Sequence, residues 1–563
     1  MFNAQDAAAL QSPTTFRLPR WAFAVGLLLL GLLWFGNLEY RDLVDPDEGR
    51  YAEIPREMAA SGDWVTPRLN DLKYFEKPPL QYWITAALYS AFGVDEWVAR
   101  LWPALAGILG VLAAFLTARR LYGPDVGALA ALVLGGMLQY VIFSHILTLD
   151  MTLALLLSGA VFAFVVAQDD RTAPRDRRAW MLAGWAAMAG AVMTKGLIGV
   201  MLPAGAVAAY VLLHRDWALL RRLHLGAGVA VLLALTAPWF IAVSLRNPEF
   251  ARFFFWHEHV ERFLLPEHHR PGAWWYFLAI GLVGTLPWSG LLFSAPRGWW
   301  RADDGARFRP TRFLLVWVVV VVAFFSASSS KLPGYIVPVL PALAVLIAVH
   351  AARASPRAIA LALAAIVPLS LGSTAALPYL AKLKSQPQFE LYLDAFLPWL
   401  LTASLSLTAA LVVASVLAAR RQVLGAVACA SAGSLVALTL AMTGNEQMSP
   451  VYSAAYSGEI LVKTLTEDVR HLPFFSVSQF GHSLPFILER PVTLVDYRGE
   501  LALGVDAEPD KVIATLEKFG EVWTALPDGF AVMSHALYQQ FKGEGLPMTV
   551  VLEDPMRVFV RRR

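Results

Sequence analysis

Apolar stretches long enough to cross about 30 Å of hydrocarbon recur along the chain from Trp21 to about Met442. Nothing else in the sequence constrains the fold as much. In lipid, each backbone amide must find a partner within its own segment, so stretches of this kind fold as α-helices. Composition agrees: 57% of the 563 residues are hydrophobic and 16% are charged, where soluble domains carry about a quarter. The expectation is a polytopic α-helical membrane protein. The single cysteine, Cys429, falls inside an expected span, which excludes an intrachain disulfide and a Cys-based metal site. Arg17 and Arg20 precede the first apolar run, but no small-residue cleavage site follows it. That run reads as a retained helix rather than a removed signal.

Basic residues sort by loop. Arg17/Arg20, Arg119/Arg120, Arg171 to Arg178, Arg215 to Arg222, Arg297 to Arg312, Arg353/Arg357 and Arg420/Arg421 fall between alternate apolar runs, as expected for cytoplasmic loops. This predicts thirteen spans, near 20–37, 98–118, 124–143, 149–168, 179–194, 196–213, 223–243, 274–294, 312–326, 336–350, 357–377, 397–419 and 422–442. The N-terminus is then inside and the C-terminus outside. The parity requires that Pro78 to Gly93 not cross. It is short, starts with Pro-Pro and carries Gln81, Tyr82, Trp83 and Tyr89, so it is expected to lie along the membrane surface. Read instead as a short span, it would put the Arg-rich loops outside. Loops 38–97, 144–150, 244–273 and 326–335 then share one face, and all carry unusual polar residues.

From about Thr443 the apolar runs shorten to strand length: Phe474 to Val477, Val492 to Val495, Phe530 to Met533, Val550 to Leu552 and Val558 to Val560. Helical patterns intervene at Gly458 to Val469 and Pro509 to Phe519. The expected organisation is a transmembrane domain, 1–442, followed by a small outer α/β domain, 443–563, with a core of its own and a capping or docking role.

The chemistry-bearing residues lie in the outer loops. Asp45-Pro46-Asp47-Glu48 follows the first span, and acids at a membrane boundary are costly enough to suggest a site. Asp47 or Glu48 would face a reaction centre; alternatively, Asp45 or Asp47 caps the helix beginning near Glu48, which continues through Tyr51 to Ala60 and ends at Ser61-Gly62-Asp63-Trp64. In Tyr74-Phe75-Glu76-Lys77-Pro78-Pro79, Pro78 holds Lys77 extended, suited to a phosphate headgroup or to snorkelling. Glu76 could pair with that lysine or hold a cation. Asp150 enters an apolar helix and needs a partner: it could orient Arg50 or the Asp47 loop, or cap the helix.

Asn247 to Gly272 carries His257, Arg262 and Arg270. His257 and His259 stand two apart and cannot share a helical face. A divalent cation on His257 and Glu76 is one reading, and Arg262 or Arg270 as a phosphate fork is another. Lys331 and Tyr335 sit on an outer turn, as substrate ligands or as a snorkelling lysine with a belt tyrosine. Lys195 adds another cation on that face. Several cations with two or more acids suggest an anionic lipid substrate and carboxylate-assisted transfer.

Asp47-Glu48-x-Arg50-Tyr51-Ala-Glu53-Ile-x-Arg56-Glu57-Met58-x-x-Ser61-Gly62-Asp63-Trp64, Tyr74-Phe75-Glu76-Lys77-Pro78 and Lys331-Leu-Pro333-x-Tyr335-Ile-x-Pro338 resemble the aminoarabinose transferases of lipid A. These belong to the protein-mannosyltransferase-like, C-type glycosyltransferase superfamily. The resemblance implies a multi-pass enzyme of the bacterial inner membrane. It would move 4-amino-4-deoxy-L-arabinose from an undecaprenyl-phosphate carrier to a lipid A phosphate at the periplasmic face. It implies Asp47 as catalytic carboxylate and Asp150 as second acid, with Glu48 beside them. Lys77 and Tyr335 would serve the donor phosphate and Arg262 would help; Arg50, Lys331, Tyr82 and Arg270 complete the expected substrate contacts. The cofactor is left open, with a divalent cation on Glu76 and His257 as the one candidate the residues offer. The partners are the donor lipid, lipid A and the membrane, with no nucleic acid and a monomeric state.

Two rivals stand beside this reading. Another polyprenyl-phosphate-sugar transferase, such as one acting on protein hydroxyls, would need a stronger base. A transporter would keep its polar groups at the midplane, often in repeated halves, whereas here they gather at one face.

Overall fold

The computed structural model describes residues 20–261, 272–293, 296–301, 306–383, 386–464 and 471–562. Each of the thirteen expected spans falls on helical chain. Among the described residues, eight helices are long and apolar enough to cross a membrane, and one bent pair joins them. That pair, Pro124–Gly135 and Leu138–His145, corrects the single span expected over 124–143: the chain turns by 63° between the two. Gly136 sits at the break, where a side chain would collide with Ser431. The other expected spans are shorter or more polar than a uniform crossing. Arg20–Phe35 has 16 residues, Ile198–His214 has 17, and Tyr276–Gly284 has 9. Pro174–Lys195 carries Arg175, Asp176, Arg177 and Arg178 in its first turns.

Leu80–Phe92 is a 13-residue helix, about 20 Å long at 1.5 Å per residue, too short to cross. Its Gln81, Tyr82, Thr85, Ala86 and Tyr89 are buried. The helix containing Asp47 runs from Asp47 to Ser61, a start one residue before the expected Glu48. Gly62 ends it in the left-handed conformation (φ 71°), returning its N–H to Met58 O. Strands β1 (Arg68–Leu69) and β2 (Leu72–Lys73) form a hairpin. Asn70 and Asp71 turn it with φ near 57° and 59°, values that suit short polar side chains in a two-residue turn.

The apolar helices end at Gly444, and beyond them lies a five-stranded sheet of order β4-β3-β5-β7-β6. Its strands are β3 (Phe474–Val477), β4 (Thr493–Val495), β5 (Gly529–Met533), β6 (Thr549–Glu553) and β7 (Val558–Arg562), close to the expected runs. β4, β3 and β5 are parallel; β7 is antiparallel to both β5 and β6. The helix expected over Pro509 to Phe519 is instead a 3-10 turn, Pro509–Lys511, and a helix, Leu516–Ala525. Thr515 accepts from Lys518 N and so fixes the later start. Of the expected Gly458 to Val469 helix, Ala454–Thr464 is seen and 465–470 lie outside the described residues.

The outer domain has a core within itself and shares a second with the first outer loop. Phe475, Val477, Phe519 and Trp523 pack together on one face of the sheet. The alternate residues on the other face, Phe474, Phe530 and Phe559, share a core with Tyr51, Leu69, Tyr74 and Tyr82 of the first outer loop. Period-2 alternation thus aims one face of the domain at the Asp47 helix.

Candidate active site

Glu48 is the hub of the first outer loop. Arg41 Nη2 and Arg100 Nε donate to its Oε1 at 3.0 Å each, Leu147 N at 2.9 Å. Arg100 Nη2 and Val44 N donate to Oε2 at 3.0 Å each. The side chain is 1% exposed. Burial alone pushes this carboxyl up, but Arg100, Arg41 and the hydrogen bonds overcome it and hold it near pKa 2. Arg100 also donates to the carbonyls of Leu38 (2.8 Å), Arg41 (2.6 Å) and Asp42 (3.0 Å), fastening residues 38–48 to its span. The expectation that Glu48 is catalytic is therefore corrected. Five donors fill its oxygens, and its work is to place Asp47.

Asp47, one residue away, is 57% exposed on its side chain and pairs loosely with Arg50 at 3.7 Å. The capping alternative fails, since Pro46 occupies the cap position and no side chain caps the helix. Asp45 accepts instead from Ser483 N (2.7 Å), Ser483 Oγ (3.1 Å) and Ala454 N (3.0 Å) of the outer domain. Gly49 allows this docking, because a Cβ there would strike Ser483 and His482. Arg50 pairs with Glu500 at 2.6 Å, and Glu500 with His482 at 2.8 Å.

Asp150 is the first residue of the Asp150–Gln168 helix and does not cap it. Its partner is Lys195, at 2.5 Å, rather than the expected Arg50. Lys195 Nζ also lies 5.4 Å over the Tyr335 ring. Gly334 packs directly on the Asp150 carboxylate, where a side chain would not fit. Three segments distant in sequence thus place Asp150, Lys195 and Tyr335 together. The fields of Asp150, Tyr335 and Asp47 all act on Lys195, and Tyr51 feels Arg50, Asp47, Glu76 and Asp150. Asp47 and Asp150 therefore share one electrostatic neighbourhood.

Lys77 Nζ donates to Glu258 Oε2 at 3.0 Å and to Glu76 O at 2.8 Å, with the Glu76 carboxylate 3.8 Å away. The outer loop thereby meets the 244–273 segment. His257 stacks on Phe253, with ring centroids 5.1 Å apart. Among the described residues, the group of three or more His, Cys, Asp or Glu placed to share an ion is Asp42, Glu96 and Glu459. Glu76 and His257 offer two ligands, one short of the three protein ligands of catalytic zinc. Lys331 corrects another expectation: its Nζ donates to Ser326 O (2.9 Å) and Ser328 O (3.0 Å), so it closes the C-terminal end of the Pro310–Ala327 helix. Arg262 and Arg270 lie outside the described residues. Glu500 and His482 carried no signal in the sequence, because only the fold brings a loop some 450 residues away onto Arg50.

A many-span helical body, with acids, a lysine and a phenol gathered under an α/β cap, defines a polytopic membrane protein of the protein-mannosyltransferase-like class. Residues 21–254 match the dolichyl-phosphate-mannose-protein mannosyltransferase family, and residues 461–562 match the aminoarabinose transferase C-terminal domain. The chain belongs to the aminoarabinose transferase family. It is 36% identical over 385 residues to an undecaprenyl phosphate-alpha-4-amino-4-deoxy-L-arabinose arabinosyl transferase of Pseudomonas paraeruginosa, covering 66% of this chain and 69% of that one. A Pseudomonas fluorescens protein of the same name is 37% identical over 343 residues, and the match spans 57% of its length and 60% of this chain. The crystal structure of ArnT from Cupriavidus metallidurans bound to undecaprenyl phosphate superposes with a TM-score of 0.90 at 39% identity, covering 97% of this chain and 99% of that one. An Archaeoglobus fulgidus oligosaccharyltransferase, at 11% identity and a TM-score of 0.50 over 93% of this chain and 70% of that one, shares the fold alone.

Proposed function

We propose that this chain transfers 4-amino-4-deoxy-L-arabinose from undecaprenyl phosphate to a phosphate of lipid A, with the site and the cap on the periplasmic side. The observation that carries the reading is the near full-length likeness to the Cupriavidus metallidurans ArnT structure bound to undecaprenyl phosphate. The alternation of Arg-rich loops supports the orientation.

The chemistry is a displacement at the sugar's anomeric carbon. An acceptor phosphate oxygen supplies the electron pair for the new C–O bond, while the bond to the donor phosphate breaks and its electrons leave with undecaprenyl phosphate. The acceptor is already anionic at neutral pH, so little base assistance is needed. Asp47, exposed and loosely held, would orient the acceptor or sugar and stabilise oxocarbenium-like charge. Asp150 holds Lys195 at 2.5 Å, and with Lys77 and Tyr335 this cation faces the charge growing on the leaving phosphate. Arg262 would assist them. Incubating purified protein with aminoarabinosyl undecaprenyl phosphate and lipid A should raise the mass of lipid A by one aminopentose residue. Transfer to protein hydroxyls in place of lipid A would overturn the reading.

A further inference from the structure

The far end of the helical body carries a cluster that the transfer chemistry does not use. The Asp150–Gln168 helix starts at the outer site and runs about 28 Å at 1.5 Å per residue. Pro174–Lys195 returns from there to place Lys195 beside Asp150. Arg177, in the first turn of that returning helix, therefore stands on the face opposite Asp47. The connections on this face are tied to one another. Arg307 N donates to Asp170 Oδ2 at 3.1 Å, Arg177 Nε to Ala167 O at 2.9 Å, and Trp185 Nε1 to Leu223 O at 3.0 Å. Arg309 N donates to Tyr210 Oη at 3.0 Å. Three segments distant in sequence thus bring Arg177, Arg222 and Arg307 together.

Burial, and then the fields of Arg307 and Arg177, hold the Arg222 guanidinium below its ordinary range; Asp216 and Asp170 offset them only in part. Arg222 is half-buried and Arg307 exposed, and neither guanidinium has a carboxylate partner among the described residues. A preference of one membrane face for arginine explains their number. It does not explain their convergence on one point, where like charges repel unless an anion joins them. Arginine forks suit phosphate oxygens, which they meet two at a time. The neighbouring surface says which phosphate. Trp217 and Leu220 stand three apart on the 3-10 helix Trp217–Arg222, so they share a face, and they are 59% and 38% exposed. An exposed indole beside the end of a span marks the level of lipid headgroups. That helix rises only about 10 Å from Trp217 to Arg222. A free phosphate has no use for the apolar face, whereas a phospholipid has chains to lay on it.

We propose that Arg177, Arg222 and Arg307 seat the phosphate of an anionic phospholipid on the face opposite Asp47, with Trp217 and Leu220 against its chains. This seat takes no part in the transfer reaction, so its test reads binding. Purified full-length protein, stripped of lipid in detergent, is titrated with phosphatidylglycerol, phosphatidylcholine or inorganic phosphate, and bound lipid is counted by native mass spectrometry. Wild type should hold phosphatidylglycerol about a hundredfold more tightly than phosphatidylcholine, the share of three arginines. Arg222→Gln and Arg307→Gln should each weaken phosphatidylglycerol about fivefold, the share of one, while melting temperature without lipid and transfer rate stay those of wild type. Arg357→Gln removes an exposed charge from a different basic loop and should bind as wild type does. An equal loss in Arg357→Gln would reduce the attraction to diffuse charge and overturn the seat. Equal retention of the two lipids would overturn it as well. Inorganic phosphate that displaces phosphatidylglycerol at equal concentration would make this a free-anion site and overturn the lipid assignment.

Discussion

Two helices of this protein begin on an acid at the same outer site, and the two starts are built differently. At the first, Asp47 is 57% exposed and its ion pair with Arg50 is 3.7 Å long. At the second, Asp150 is 15% exposed and bound to Lys195 at 2.5 Å. The contrast separates two roles for one residue type. The open carboxylate can meet substrate, whereas the closed one is spent on fixing a cation. Glu48, beside Asp47, goes furthest toward closure, with five donors on its two oxygens. Environment rather than residue type divides the work among acids.

The largest expected effect falls on the open acid. Asp47→Asn should lower transfer about a thousandfold, the scale of losing a well-placed group at the reacting centre, while its melting temperature in detergent stays that of wild type. Wild-type turnover by this variant would erase the contrast. The closed acid should fail on two counts: Asp150→Asn leaves Lys195 without its partner, so both transfer, by about a hundredfold, and melting temperature should drop. Adding Lys195→Met should restore the melting temperature but not the activity, and a double variant that regains activity would show the pair to be purely structural. Lys77→Ala should act more mildly, raising KM for the donor about tenfold with a smaller change in kcat, as expected for one charge-assisted contact to the donor phosphate.

At neutral pH the smallest effect belongs to the titration of Glu48. Its folded pKa, about 2, lies below the ordinary 4.5, so its contribution of about 3 kcal/mol is fully present above the unfolded value. Thermal melts should show no dependence on Glu48 between pH 5 and 8, and a decline as pH falls from about 4.5 toward 2. Glu48→Gln should flatten that acid limb. A limb of the same steepness in the variant would place the acid sensitivity on another group.

The helical body was legible because hydrocarbon permits so little else: the apolar runs alone located helical chain for each expected span. Strands β3 to β7 were legible from short β-rich runs. The sequence located the acids but not their partners, since Glu48 takes Arg100 from 52 residues away and Asp150 takes Lys195 from 45. Lys331 misled for the opposite reason, because a lysine on an outer turn can satisfy the carbonyls of its own preceding helix. The bend after Gly135 needed Ser431, on a distant helix, to show itself.

The central claim is that the Asp47 position opens to the periplasm and to the donor lipid while its neighbour at 48 is sealed. A membrane-impermeant maleimide, applied to intact inner membrane exposed on its periplasmic side, tests this with Asp47→Cys in a Cys429→Ala background. Asp47→Cys should label rapidly, and undecaprenyl phosphate should suppress that labelling. Labelling only after the reagent is given access to the cytoplasmic side, or labelling indifferent to undecaprenyl phosphate, would contradict it.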